Sequence, residues 1–149
     1  MKSLPPYFAV TALLILLFGI AISIFSMQSQ APENLFPATV NPDCAPWDGA
    51  AFTVSIPYDP VSVMTISIWK PPVLEFPTTF SLPDEVGQVG YASILPEAGP
   101  LSPLHGEVWF QRVEQGRLVE GWFNLTSERG EQFKGKFVAE WEGQGAFCG

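Results

Sequence analysis

The chain has 149 residues, of which 15 are acidic and 7 are Lys or Arg, so its formal net charge is −8. This balance excludes the basic surface of a typical nucleic-acid-binding protein, and two cysteines are too few for a small fold held by many disulfides. Because 47% of the residues are hydrophobic and 13% are aromatic, the chain can form a core and is not disordered throughout.

The first element is an uncharged stretch of 21 residues, 7–27. A helix rising about 1.5 Å per residue would span roughly 30 Å here, which matches the hydrocarbon core of a bilayer. The stretch exceeds the apolar region of about 7–15 residues in a signal peptide, and Pro32 directly follows Ala31, the end of the best cleavage triplet. We predict a transmembrane signal anchor, with cleavage and secretion as the alternative.

The orientation follows from the charges that flank this segment. Lys2 precedes it, whereas Glu33 and Asp43 follow it. The positive-inside rule therefore predicts that residues 1–6 are cytoplasmic and that the C-terminal domain is extracytoplasmic. The predicted location is the cell membrane, with a single pass, so the membrane is the first expected partner.

Residues 28–48 are predicted to form a linker. Residues 32–48 contain four prolines and show no periodic apolar pattern, as is typical of a stalk. Residues 49–149 then form one extracytoplasmic β-domain of ordinary size.

This domain shows alternating apolar and polar residues between turn signals, which predicts an all-β fold. We expect a single antiparallel β-sandwich of about seven strands, with a partly closed β-barrel as the alternative. Prolines flank the third and fourth strands and predict edge strands, and residues 98–104 are predicted to form a loop. The seven predicted strands are 50–57, 61–69, 77–82, 88–95, 105–113, 118–125 and 131–141.

The last three strands form a meander whose register can be predicted. A turn centred on residues 115–116 places Phe110 opposite Gly121 and Trp109 opposite Trp122. A three-residue loop at 128–130, with Gly130 in the left-handed conformation, places Phe123 opposite Gly135. A slip of one residue would move every side chain to the other face. The residues that this register directs inward are Val108, Phe110, Val119, Gly121, Phe123, Leu125, Phe133, Gly135, Phe137, Ala139 and Trp141. Arg112 falls on the same inner face, where its charge does not fit.

The outer face of this meander carries the candidate binding residues. Trp109, Trp122 and Lys136 fall in one row across three strands. Flat aromatic surfaces beside amides and carboxylates can stack against sugar rings or peptide side chains. We therefore predict a surface that contacts a glycan, a peptide or an envelope protein, formed by Trp109, Gln111, Glu120, Trp122, Asn124 and Lys136.

Cys44 and Cys148 bracket almost the whole domain. In an oxidising compartment we expect them to form a disulfide that holds the two ends of the domain together. There is no C-x-x-C motif, and His105 is the only histidine, so the sequence predicts no metal site and no cofactor.

No catalytic residues are predicted. His105 and Glu107 share a strand face, but no serine in a nucleophile turn accompanies them. The sequence therefore predicts a non-enzymatic binding or structural module of the cell envelope. The first alternative is a carrier that holds a small apolar ligand inside a barrel, and the less favoured one is an envelope hydrolase built around His105.

Overall fold

The computed structural model describes residues 34–69, 75–83, 89–96, 99–143 and 148. The predicted cytoplasmic segment 1–6 and transmembrane segment 7–27 lie outside these residues. Within the described part, no helix is long and apolar enough to cross a membrane. The fold is all-β, as predicted, with eight strands: β1 (Leu35–Cys44), β2 (Ala50–Asp59), β3 (Ser62–Trp69), β4 (Thr78–Leu82), β5 (Gly90–Leu95), β6 (Ser102–Phe110), β7 (Val119–Ser127) and β8 (Gln132–Trp141).

Seven of these strands close into a barrel. Around the ring the order is β1, β2, β3, β5, β6, β7 and β8, and β8 pairs again with β1. An odd number of strands cannot alternate in direction all the way round, so one pair must be parallel. That pair is β1 and β8, and the other pairs are antiparallel. The barrel alternative is therefore confirmed, and the antiparallel sandwich is wrong.

Strand β4 lies outside the ring because β6 changes neighbours along one edge. Residues 102–104 of β6 pair with β5, and residues 106–110 pair with β4. The change occurs at Gly106, whose φ of +138° favours glycine. A Cβ there would also meet the carbonyl oxygen of Asn124 on β7. The edge prediction is confirmed for β4, but it is wrong for β5, which pairs with both β3 and β6.

Strand β1 corrects the linker prediction for residues 35–44. Its even-numbered residues bond to β8, since Lys136 N–H donates to the Asn34 carbonyl at 2.9 Å and Glu142 N–H donates to the Val40 carbonyl at 2.8 Å. Because the backbone N–H and C=O groups of successive residues point to opposite neighbours, the backbone nitrogen of Pro37 points toward β2 and that of Pro42 points toward β8. However, β2 pairs only with residues 39–44 and β8 only with residues 35–40. Each proline therefore lacks its N–H where no neighbouring strand would use it.

The same reasoning explains the start of β6. Residues 102–104, which were predicted to belong to a loop, pair with β5. Gln111 N–H donates to the Glu120 carbonyl at 2.9 Å. The backbone N–H and C=O groups of odd-numbered residues of β6 therefore point toward β7. The pairing with β7 begins only at Leu104. Pro103 therefore fits in the strand without loss of a ladder hydrogen bond.

The register of the C-terminal meander is confirmed. Phe110 lies opposite Gly121, Trp109 lies opposite Trp122, and Phe123 lies opposite Gly135. The three-residue loop closes through hydrogen bonds from Ser127 N–H to the Glu131 carbonyl and from Gly130 N–H to the Ser127 carbonyl, both at 2.9 Å. Gly130 has a φ of +83°, as its place in this loop requires.

Two groups of aromatic rings pack among aliphatic side chains in the core. Phe110 contacts Phe52, Phe80 and Phe137, with ring centroids 5.3–5.8 Å apart. Tyr58 contacts the second group at 5.1–6.3 Å, and its partners are Phe36, Phe123 and Phe133. The predicted inward residues are buried, except for the half-buried Gly135 and Trp141. Arg112 is exposed beyond the end of β6, where Glu114 lies 3.8 Å away, so its charge stays in water.

The predicted disulfide between Cys44 and Cys148 is present. Their Cα atoms lie 5.5 Å apart, and the bond joins residues 104 positions apart in the sequence. It ties the end of β1 to a residue that follows β8. The ends of the domain are thus held together covalently as well as by the β1–β8 pairing.

Candidate functional site

The predicted binding residues lie on one outer face of the barrel, formed by β6, β7 and β8. Trp109 on β6 lies opposite Trp122 on β7, which lies opposite Lys136 on β8. The same row continues to Thr79 on β4 and to Leu35 on β1. Both Trp side chains are half-buried, and Lys136 is exposed. We call this surface the tryptophan row.

Polar residues occupy the positions on either side of the tryptophan row. Gln111 and Glu120 are joined through their backbones on one side. Asn124 lies on the other side, opposite both Glu107 and Lys134. All five side chains are exposed. The register therefore brings the six predicted residues onto one face, where aromatic surface, amides and both signs of charge lie together.

A shallow groove adjoins the Lys136 end of this face. It has a volume of about 560 Å³ and lies along the parallel pair of β1 and β8. Leu35 and Pro37 are exposed on its β1 side, and Val138 is half-buried on its β8 side. The groove extends the apolar part of the outer face. Its lining residues are Leu35, Phe36, Pro37, Ala38, Thr39, Val138, Glu140, Trp141 and Glu142.

His105 lies on the same outer face, further along β6. It is exposed and lies opposite Thr126 on β7, two residues before the exposed Glu107. Within the residues described here, no group of three or more His, Cys, Asp or Glu side chains is placed to hold a metal ion. The absence of catalytic residues, metal and cofactor stays a prediction from the sequence.

The turn between β2 and β3 shows the clearest electrostatic effect on a single carboxyl group. Val61 N–H donates to Asp59 Oδ1 at 2.9 Å. This bond, with help from the Ser62 hydroxyl, lowers the pKa of Asp59 below its ordinary value. Asp59 is fully exposed, and the interaction stabilises a tight turn.

Sequence reasoning missed a second aromatic surface, which consists of Trp47, Trp69 and Tyr91. Trp47 lies in the turn after β1, Trp69 ends β3, and Tyr91 lies on β5. The Trp47 and Trp69 ring centroids are 5.4 Å apart at an interplanar angle of 80°, and those of Trp69 and Tyr91 are 6.3 Å apart at 59°. The sequence predicts that Trp47 belongs to the linker, and no local sequence pattern connects three residues on separate elements. We call this surface the aromatic corner.

Comparisons of the chain with protein-family models, with curated proteins and with solved structures each found no match.

Proposed function

We propose that this protein is a non-enzymatic binding module of the cell envelope, and that it binds its partner through the tryptophan row. One observation carries the proposal: Trp109 and Trp122 lie side by side on the outer face and not in the core. The aromatic residues that follow them on the same two strands, Phe110 on β6 and Phe123 on β7, point to the other side and are almost fully buried. Two neighbouring indoles that keep contact with solvent are therefore available to a ligand.

The chemistry around the two indoles suits a saccharide. Sugar rings present C–H faces that stack on indole, and their hydroxyls need hydrogen-bond partners at the edges. Gln111 and Asn124 supply amides, Glu120 supplies an acceptor, and Lys136 supplies an ammonium group. A peptide or an envelope protein with exposed aromatic side chains would use the same groups and is the second class of partner.

The side-chain packing in the core supports a site on the outer face over an apolar-ligand carrier. A carrier needs a cavity of several hundred cubic ångströms inside the barrel. The core of this barrel instead holds Phe110 in ring contact with three other Phe side chains. A ligand there would have to displace these rings, each of which contributes roughly 1.5–3 kcal/mol by burial.

The binding test uses the full-length protein labelled with ¹⁵N, held in a neutral polyoxyethylene detergent that carries neither sugar nor ammonium groups. Chitotetraose and cellotetraose are the probes, and the five indole N–H resonances are the readout. We expect the Trp109 and Trp122 resonances to shift. Trp122→Ala should weaken saccharide binding at least tenfold, about 1.4 kcal/mol, and Trp122→Phe should restore part of it.

Trp47→Ala is the matched control, since it removes an exposed indole outside the tryptophan row. Saccharide affinity that is unchanged in Trp122→Ala, or lost equally in Trp47→Ala, would contradict the proposal. If peptides shift the same two resonances and saccharides do not, the partner is a polypeptide.

We also propose that residues 7–27 anchor the domain on the extracytoplasmic side, with secretion after cleavage as the alternative. The disulfide supports this location, because such bonds persist in oxidising compartments. Glu128→Cys, in the exposed turn between β7 and β8, should react with a membrane-impermeant maleimide on intact cells. Ser3→Cys should react only after permeabilisation. Equal dependence of both on permeabilisation would refute the orientation, and recovery of the domain in the medium would favour secretion.

A further inference from the structure

The aromatic corner is exposed and held in place. Trp47 is 55% exposed and Tyr91 is 47% exposed. Ala45 N–H donates to the Gly49 carbonyl at 2.7 Å, and Asp48 N–H donates to the Ala45 carbonyl at 3.0 Å, which closes the turn that carries Trp47. Gly49 leaves space for the indole, because a Cβ there would lie 2.5 Å from Trp47 Nε1. The neighbouring Cys44 is tied down by the disulfide, so the ring is positioned before any ligand arrives.

The rings form the walls of a corner. Trp47 and Trp69 meet at 80°, so an edge of one ring contacts the other. Trp47 is exposed and Trp69 is half-buried, so part of each side chain stays accessible to a ligand. Tyr91 contacts the same Trp69 ring at 59°. The face of an aromatic ring carries partial negative charge and attracts a cation that lies over it. Rings set at steep angles to each other can surround one compact cation on more than one side.

Two acidic residues lie near the aromatic corner, and one of them is adjacent to Trp47 in the sequence. Asp43, Ala51 and Trp69 occupy one outer row across β1, β2 and β3, so Asp43 lies two strand spacings, roughly 10 Å, from Trp69. Asp48 directly follows Trp47 and is exposed. Within the described part of the chain, the Lys and Arg residues lie between β6 and β7, between β7 and β8, or on β8. Lys70 lies outside the described residues. Asp43 and Asp48 each contribute a negative potential at the corner, which favours a positive ligand.

The polar groups beneath the corner already have partners. Thr53 Oγ1 donates to Asp43 Oδ2 at 2.8 Å, and the hydroxyl of Ser67 lies 2.8 Å from Thr53 Oγ1. Since Thr53 uses its proton on Asp43, Ser67 donates to Thr53. Ser67 is 1% exposed and lies opposite Tyr91. These hydrogen bonds orient the Asp43 carboxylate. The aromatic ring faces and the negative charge are then the main groups that can attract a ligand.

We propose that the aromatic corner is a binding site for a small alkylammonium cation of the quaternary, choline-like type. Such a cation has no N–H to donate, so it needs no hydrogen-bond acceptor. Its methyl groups pack against ring faces, and its charge interacts with the rings and with Asp43 and Asp48. The inference is independent of the proposed function, because it uses a different face of the barrel and a different ligand chemistry.

The test titrates choline into the full-length ¹⁵N-labelled protein in the same neutral detergent. The uncharged isostere 3,3-dimethylbutan-1-ol, in which carbon replaces the ammonium nitrogen, is titrated in parallel. We expect choline to shift the Trp47 and Trp69 indole resonances saturably and the isostere to bind at least fivefold more weakly. The Trp109 and Trp122 resonances serve as internal controls and should not move.

Variants separate the contribution of the ring from that of the charge. Trp47→Ala, in an exposed turn, should weaken choline binding at least tenfold, and Trp47→Phe should restore part of it. The double variant Asp43→Asn with Asp48→Asn should weaken choline binding severalfold and leave binding of the isostere unchanged. Glu128→Gln, which removes one exposed carboxylate from a remote turn, is the control and should have no effect.

Two results would overturn the proposal. Equal affinity for choline and its isostere would show an apolar surface without selectivity for charge. Choline shifts that persist in Trp47→Ala, or the lack of any shift at tens of millimolar choline, would show that the corner is not the site. Neither result affects the saccharide test, which is read from Trp109 and Trp122.

Discussion

Loss of the Cys44–Cys148 disulfide is expected to lower the free energy of unfolding by about 4–5 kcal/mol. The bond joins residues 104 positions apart, and in the chain-entropy model a loop near 100 residues restricts the unfolded chain by about this amount. A domain of this size has a total stability of about 5–15 kcal/mol, so a large part depends on one bond. Urea unfolding with and without reductant measures the difference.

The double variant Cys44→Ser with Cys148→Ser is the control for this experiment. It should show the same loss without reductant and no further loss when reductant is added, because the chain has no other cysteine. Equal stability of the wild-type protein with and without reductant would contradict the prediction. In that case the pairing of β1 with β8 would suffice to hold the ends of the domain together.

Phe110→Ala is expected to cost about 3–5 kcal/mol, which is typical of a large cavity in a core. Phe110 is 0% exposed, and its ring contacts Phe52, Phe80 and Phe137. These partners come from β2, from the outside strand β4 and from β8, so the cavity would loosen three strands at once. The free energy of unfolding from urea titration is the measurement.

Leu118→Ala is the matched control for this variant. Leu118 lies in the same hairpin but is 54% exposed, so its loss should change stability by at most about 0.5 kcal/mol. Phe110→Leu keeps most of the apolar volume and should fall between the two. Similar losses for Phe110→Ala and Leu118→Ala would mean that the interior relaxes around the missing ring and that the barrel centre is not rigidly packed.

The C-terminal meander is the part of the fold that the sequence predicts best. Its turns are short, and Gly116 and Gly130 mark the two left-handed positions. Once the loop lengths are known, side-chain alternation assigns every residue to a face. The positions of Trp109 and Trp122 followed from this local information, and the observed pairing agrees with it.

The N-terminal half shows where local reasoning fails. Prolines normally mark linkers and edge strands, so the sequence predicts a linker and not a strand for residues 35–44. Proline is still confined to positions without a ladder hydrogen bond, because the backbone nitrogens of Pro37 and Pro42 each point to a side where β1 has no neighbouring strand. These two positions exist because β2 pairs with the second half of β1 and β8 pairs with the first half. Such an offset between strands that are distant in the chain cannot be recognised from a local sequence pattern.

Patterns in the amino-acid sequence are enough to predict the all-β class, the meander register, the pairing of the two cysteines and the outward position of the tryptophan row. The first, second and fourth features depend on side-chain alternation and on turn residues, which are local in the sequence. The disulfide depends only on the number of cysteines, because two cysteines allow one pairing. Only the folded chain reveals that the sheet closes into a seven-stranded barrel, that β1 and β8 run parallel and that β4 lies outside. It also brought Trp47, Trp69 and Tyr91 together. The physical reason is that closure and corner formation depend on which distant edges meet, and that is set by the packing of the whole interior.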